Sequence, residues 1–100
     1  MPIVDPLLPA LTELLGSRAR DIVGTAVTAG GGTLHELDRR QVLYHPGRRA
    51  SVRFAARVGW GRDEPVEEAI VAIADVDGPP AGTLALAAGT MSVGLFRYPE

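Results

Sequence analysis

The sequence predicts an α+β domain in which a helical hairpin is followed by an antiparallel meander of four to five strands, helices over about 6–29 and sheet over about 33–98. Three observations carry this. Leucines recur at helical spacing up to Leu15, apolar residues switch to alternation after Thr33, and Pro/Gly-rich clusters then punctuate the chain at hairpin intervals.

The first helix is read from Leu7, Leu8, Leu11, Leu14 and Leu15. Asp5 or the Pro6 and Pro9 positions can open its first turn, and Gly16 is expected to supply a left-handed stop. Ser17 offers a side-chain oxygen to cap a second helix, whose stripe is Ala19, Ile22, Val23, Ala26 and Val27 before Gly30-Gly31-Gly32 ends it. A strand over 34–45 then runs into His45-Pro46-Gly47-Arg48, a Pro-Gly turn, and a second strand over 50–60 leaves it. On that second strand Val52, Phe54, Ala56, Val58 and Trp60 share one face, and Ser51, Arg53, Ala55 and Arg57 share the other. The first set is the expected core face. After Gly61-Arg62-Asp63-Glu64-Pro65, a third strand covers about 66–76, and Asp77-Gly78-Pro79-Pro80 breaks it. Thr83 to Ala87 is a short apolar stretch, Ala88-Gly89-Thr90 a turn, and Met91 to Tyr98 the last strand.

With 100 residues the chain is expected to be one small domain or part of one, burying roughly 60–65% of its unfolded surface. It has no cysteine, which excludes disulfides and thiolate metal sites, and only two histidines. Ten arginines and no lysine stand against twelve carboxylates, a net charge of −2, and this balance lacks the basic excess of a nucleic-acid surface. No basic leader precedes an apolar run and no window approaches the length of a membrane span, so the expectation is a cytoplasmic protein without nucleic-acid or membrane partners. The exclusive use of arginine and the wealth of Ala, Gly and Pro fit a GC-rich bacterial genome.

Several residue groups invite a chemical role. Gly30-Gly31-Gly32 follows a helix and opens a strand, the reverse of a phosphate-cradling loop, so it reads as a helix stop and link. His35 and His45 are ten residues apart on one strand, about 33 Å if extended, too far for a shared relay or metal. Glu67 and Glu68 alternate faces and form no acid/base dyad, while Asp75 and Asp77 flank a turn and read as solvated acids rather than as metal ligands. Arg48, Arg49, Arg53 and Arg57 run from the Pro-Gly turn along one side of the sheet, either as a guanidinium row matching phosphate or carboxylate, or as partners of Glu64, Glu67 and Glu68. No serine or threonine has a histidine partner nearby in sequence, so an independent small enzyme has no motif behind it.

Three stretches carry a resemblance: Ala29-Gly30-Gly31-Gly32-Thr33-Leu34, the run from Arg40 through Tyr44-His45-Pro46-Gly47-Arg48-Arg49 to Phe54, and the closing Val93-Gly94-Leu95-Phe96-Arg97-Tyr98-Pro99-Glu100. Over about residues 6–100 the chain resembles the N-terminal part of actinobacterial phosphotransferases of the aminoglycoside phosphotransferase, kinase-like family. The resemblance implies a kinase-like N-lobe whose twisted sheet covers the adenine and phosphates of ATP. It also implies a missing C-terminal lobe that carries the His-Gly-Asp-x-x-x-x-Asn loop and the magnesium ligand. Neither motif occurs here, so the chain is expected to be an N-terminal fragment of a two-lobe enzyme that phosphorylates a small-molecule hydroxyl, inactive alone. ATP and magnesium are the cofactors implied for the full-length protein. The strand lysine that normally holds the α/β-phosphates is absent. The residues expected to stand in as cofactor-binding groups are Arg97 first, then Arg53, with Gly47 and Arg48 in the first hairpin turn. The alternative is a stand-alone, non-catalytic interaction domain that binds a protein partner or itself through an open sheet face.

Overall fold

The structure, a computed structural model, describes residues 4–62 and 64–98. Asp63 of the predicted Gly61–Pro65 turn, the first three residues, and Pro99 and Glu100 lie outside the described residues. Two helices, α1 (Pro9–Leu15) and α2 (Ala19–Ala29), precede five strands: β1 (Gly32–His45), β2 (Arg49–Trp60), β3 (Val66–Asp75), β4 (Leu84–Ala88) and β5 (Met91–Tyr98). The fold is α+β, as the pattern of periodicities predicts.

Pro9 occupies the first turn of α1, where a missing N–H costs no helical hydrogen bond. Asp5 organises the entry: its Oδ1 accepts the Leu7 N–H at 3.0 Å and its carbonyl accepts the Leu8 N–H at 3.0 Å. Leu8, Leu11 and Leu14 are buried, but Leu7 is exposed, because it lies before the helix and off its buried face. Two expected helix signals act differently from the prediction. Gly16 is not left-handed: its φ is −106°, and α1 ends by stepping into extended backbone. Ser17 does not cap α2, whose N-cap is Arg18 with no side-chain cap bond; a joint this short leaves Ser17 no geometry for it. Asp21 in the first turn of α2 is placed favourably toward the helix dipole.

All neighbouring strands are antiparallel, in the order β1-β2-β3-β5-β4. The first three strands meander. The last hairpin then docks in the reverse sense, so that β5 lies between β3 and β4, and the connection 76–83 crosses over β5. Thr83 and Pro80 of that connection sit over Gly94, in the space a side chain there would fill. β1 carries two bulges, at the register shifts between Leu34 and Glu36 and between Arg39 and Gln41. Bulges and charges on a long edge strand twist it away from pairing with other chains.

Both helices lie on one face of the sheet. Val52, Phe54, Ala56 and Val58 of β2 are buried beneath them with Ile70, Ala72 and Ala74 of β3 and Val93 and Leu95 of β5. Each large side chain so buried contributes on the order of 1.5–3 kcal/mol. At the end of α2, Trp60 packs against the glycine run: a Cβ on Gly32 would lie 2.5 Å from the indole ring, so only glycine fits there. The run is therefore a helix stop, with Gly31 at φ +88°, and also the seat of the single tryptophan. The other sheet face has no helix on it.

Candidate functional site

Three side chains from three strands meet at the end of the helix-covered face. Glu68 of β3 is largely buried, and its Oε2 accepts the Trp60 Nε1–H at 2.7 Å. Its Oε1 accepts from Arg97 of β5 twice, from Nε at 2.7 Å and from Nη2. The Arg97 guanidinium carbon stands 4.9 Å from the Trp60 ring centroid, a cation–π contact. Strand alternation explains the meeting: Glu68, Ile70 and Arg97 all point to the helix side, with Ile70 and Arg97 paired in register, and Trp60 reaches across from β2. Arg97 remains 64% exposed while both Glu68 oxygens are engaged, so a fixed guanidinium faces solvent there.

Beside this cluster the helical layer leaves part of the sheet open. An α2 of eleven residues spans about 16 Å, less than a five-strand sheet of about 19 Å width and longer strands. The result is an apolar recess of about 560 Å3 between the end of α2 and β4, walled by Val27, Trp60, Ile70, Leu84 and Leu95, with Arg97 among its lining residues.

The residues expected to bind a cofactor do not converge. Arg97 and Phe54 flank Ile70 in register on the covered face, whereas Arg53, paired with Val71, points to the opposite, helix-free face. Gly47 and Arg48 form the β1–β2 turn, where Gly47 adopts φ +69°. The Gly47 N–H donates to Asp5 Oδ2 at 2.7 Å, and the same oxygen accepts the Tyr44 hydroxyl at 2.7 Å. The turn's inward donor thus already holds a carboxylate of this chain. The Gly47 N–H first, then Tyr44 and the Leu7 N–H, hold the Asp5 carboxyl below its usual range, and the Asp5 bond, with burial, pushes Tyr44 up.

The guanidinium row is real as a placement: Arg49, Arg53 and Arg57 share the helix-free face. Carboxylates flank it. Arg49 Nε donates to Asp75 Oδ2 at 2.6 Å, and Arg57 stands opposite Glu67 and Glu36 in register. Asp75 Oδ1 also accepts the Asp77 N–H at 2.8 Å; that bond first, then Arg49, lowers the Asp75 pKa. Glu67 and Glu68 do alternate faces, as predicted, but Glu68 turns to Arg97 rather than to the row. His35 and His45 are exposed on β1, His35 at the first bulge with its ring over Gly59. Among the described residues no group of three or more His, Asp or Glu side chains could hold a metal ion, and no helix is long and apolar enough to cross a membrane.

Sequence reasoning singled out Arg97 as a strand-end cation but did not group Glu68 and Trp60 with it. Glu68 and Trp60 are eight residues apart and Arg97 is a further twenty-nine from Glu68, so no spacing rule groups them. The available signal was a charged residue in phase with the core-facing set: alternation alone puts Glu68 on the covered side, where a carboxylate requires partners.

Fold and site together define an α+β domain with both helices on one sheet face, the 76–83 connection crossing part of the other, and an apolar recess beside Arg97. Neither protein-family models, nor curated proteins, nor solved structures yield a match to this chain.

Proposed function

We propose that the chain is the nucleotide-covering N-lobe of a kinase-like phosphotransferase, acting with a catalytic lobe on a small-molecule hydroxyl. The observation that carries this reading is the Arg97 guanidinium, fixed by Glu68 over Trp60 at the apolar recess. Kinase lobes hold the nucleotide phosphates with a strand cation steadied by a carboxylate, and apolar recesses of 300–1,000 Å3 with few polar groups are the usual form of a small-molecule site. The base would lie against Trp60 and the aliphatic walls, with a phosphate on Arg97. Magnesium, in this reading, is held by the phosphates and the catalytic lobe. Phosphoryl transfer itself belongs to that lobe.

The test is titration of the chain with ATP, read by the fluorescence of its one tryptophan and by calorimetry. Saturable binding that Arg97→Ala weakens by about tenfold or more supports the reading, since charge-assisted hydrogen bonds contribute ~1.5–3 kcal/mol. Absence of binding, or equal affinity in the variant, refutes it.

A second reading, a non-catalytic interaction domain, is favoured by one specific observation. The helix-free face presents Phe96, Ile73 and the half-exposed Leu43 among the arginines. Light scattering of the chain alone checks self-association, and a strict monomer over a wide concentration range counts against it.

A further inference from the structure

We infer that β4 is a pairing edge for a second copy of this chain, joined antiparallel about Leu86 so that the two sheets become one continuous sheet. The inference is independent of the nucleotide reading above. The sheet has two edges, and only one is defended. β1 carries two bulges and the charged side chains of Glu36, Asp38, Arg39 and Arg40, devices that keep an edge from templating another strand. β4, Leu84–Ala88, has no charge and no proline, and its register against β5 runs without a shift. Among the described residues no strand pairs with its outer side.

The hairpin fixes which backbone groups face outward. Gly89 and Thr90 form a two-residue turn, with Gly89 at φ +68°, closed by the Ala88 and Met91 pair. In such a hairpin the closing pair exchanges both of its hydrogen bonds, and every second pair after it does the same. Ala88, Leu86 and Leu84 therefore bond toward β5, and the N–H and C=O of Ala85 and Ala87 point away from the sheet. Both of these alanines are exposed. A second β4, related by a two-fold axis through Leu86, sets Ala85 opposite the second copy's Ala87 and Ala87 opposite the second copy's Ala85, so every outward group finds a partner.

The side chains agree with that register. Leu84 points to the helix side in register with Leu95 and is still 45% exposed. In the pair it falls opposite the second copy's Ala88. At that end of β4 a groove of about 350 Å3 lies between the helices and the strand, with Ile22 and Leu86 among its walls. Its charged residues, Glu13, Arg18 and Asp21, carry both signs, so neither copy presents a uniform field to the other. Because the axis runs through Leu86, the exposed leucine of each copy enters the groove of the other. One strand supplies both the projecting side chain and the space that receives it, and this self-complementarity makes the occupant a second copy.

The experiment follows the mass of the full chain by analytical ultracentrifugation over a range of concentrations. The expected result is a reversible dimer with a dissociation constant on the order of 10–100 µM, because a contact of this kind is smaller than a standard stable interface. Ala87→Pro removes an outward N–H without touching the β5 ladder, and Ala87→Lys sets a like charge on each copy near the axis. Each should raise the dissociation constant about tenfold or more, with circular dichroism checking that both variants are folded. The chain has no cysteine, so single introduced thiols read the register. Leu86→Cys puts a thiol opposite its own copy, with Cα atoms about 4.5 Å apart, within disulfide reach, whereas in Leu84→Cys the two positions are about 14 Å apart. Under oxidised glutathione Leu86→Cys should become a covalent dimer and Leu84→Cys should not. A chain that stays monomeric up to about 1 mM overturns the inference and leaves this edge to a strand of another protein. A dimer indifferent to both Ala87 substitutions, or one that cross-links through Leu84→Cys as readily as through Leu86→Cys, also overturns it.

Discussion

The Asp5 carboxylate accepts the backbone N–H of Gly47 at 2.7 Å, joining the segment before α1 to the tip of the β1–β2 hairpin across 42 residues of chain. Asp5 is 7% exposed, and it is compensated by neutral donors: the Gly47 and Leu7 amides and the Tyr44 hydroxyl. No arginine or histidine pairs with it among the described residues. A buried charge held only by dipoles is sensitive to its own ionisation and to that of its partners.

Stability is therefore expected to fall at both ends of the pH scale. Asp5 has a folded-state pKa below its ordinary 3.8, so its contribution is complete above that value and is lost as pH drops through the lower, folded-state one. Tyr44 has a folded-state pKa above its ordinary 10.0, so its contribution is complete below that value and is lost as pH rises through the higher one. Urea midpoints measured across pH check this. Asp5→Asn should shallow the acid limb, leaving the share due to Asp75, whose pKa is also lowered. Tyr44→Phe should flatten the alkaline limb and keep the Gly47 bond. An unchanged alkaline slope in Tyr44→Phe contradicts the assignment.

Gly32→Ala is expected to destabilise the domain by ~1–3 kcal/mol, the usual cost of overpacking, because the new Cβ would meet the Trp60 ring at 2.5 Å. The penalty should shrink when Trp60 is replaced by leucine. A double-mutant cycle in denaturant measures that coupling, and additive effects would show that the ring does not need the glycine.

Phe54 is the largest of the fully buried side chains, in register with Arg39 of β1 and Ile70 of β3. Phe54→Ala should cost ~3–5 kcal/mol, a large share of the roughly 5–15 kcal/mol that holds a typical domain together. Phe54→Asp, which buries an unpaired carboxylate, should abolish folding. Circular dichroism melts of both variants check this; a cooperative transition at the parent temperature in either would mean that the face assignment is wrong.

Arg53→Ala and Arg48→Ala separate the two faces of the sheet. Arg53 projects from the face opposite Arg97, and Arg48 sits at the hairpin turn next to β2. Both variants should leave ATP affinity unchanged under conditions where Arg97→Ala lowers it. A loss in Arg53→Ala equal to that in Arg97→Ala would move the ligand to the helix-free face.

Much of the architecture was legible in the chain because it rests on local periodicity. Val52, Phe54, Ala56 and Val58 alternate with Ser51, Arg53 and Arg57, and a pleated strand converts that alternation directly into two faces. Leu11, Leu14, Ile22 and Val23 mark helix faces for the same reason. The stop at Gly30-Gly31-Gly32 and the Pro46-Gly47 turn follow from the backbone angles those residues favour. Cap chemistry was less legible: Gly16 and Ser17 are suitable residue types, but the tight joint between α1 and α2 gives neither the geometry its type prefers.

What the residues determined alone, then, is the class of the fold, the split of each strand into a covered and an open side, and the presence of a cation, Arg97, at the end of the last strand. The tertiary structure decided which strand lies beside which, since either order of the final hairpin satisfies the same alternation, and only packing of 76–83 over Gly94 fits β5 between β3 and β4. That order puts Arg97 within reach of Glu68 and Trp60, and it separates Arg97 from Arg53 by the thickness of the sheet. Spacing along the chain records neither relation, because both arise from contacts made across strands.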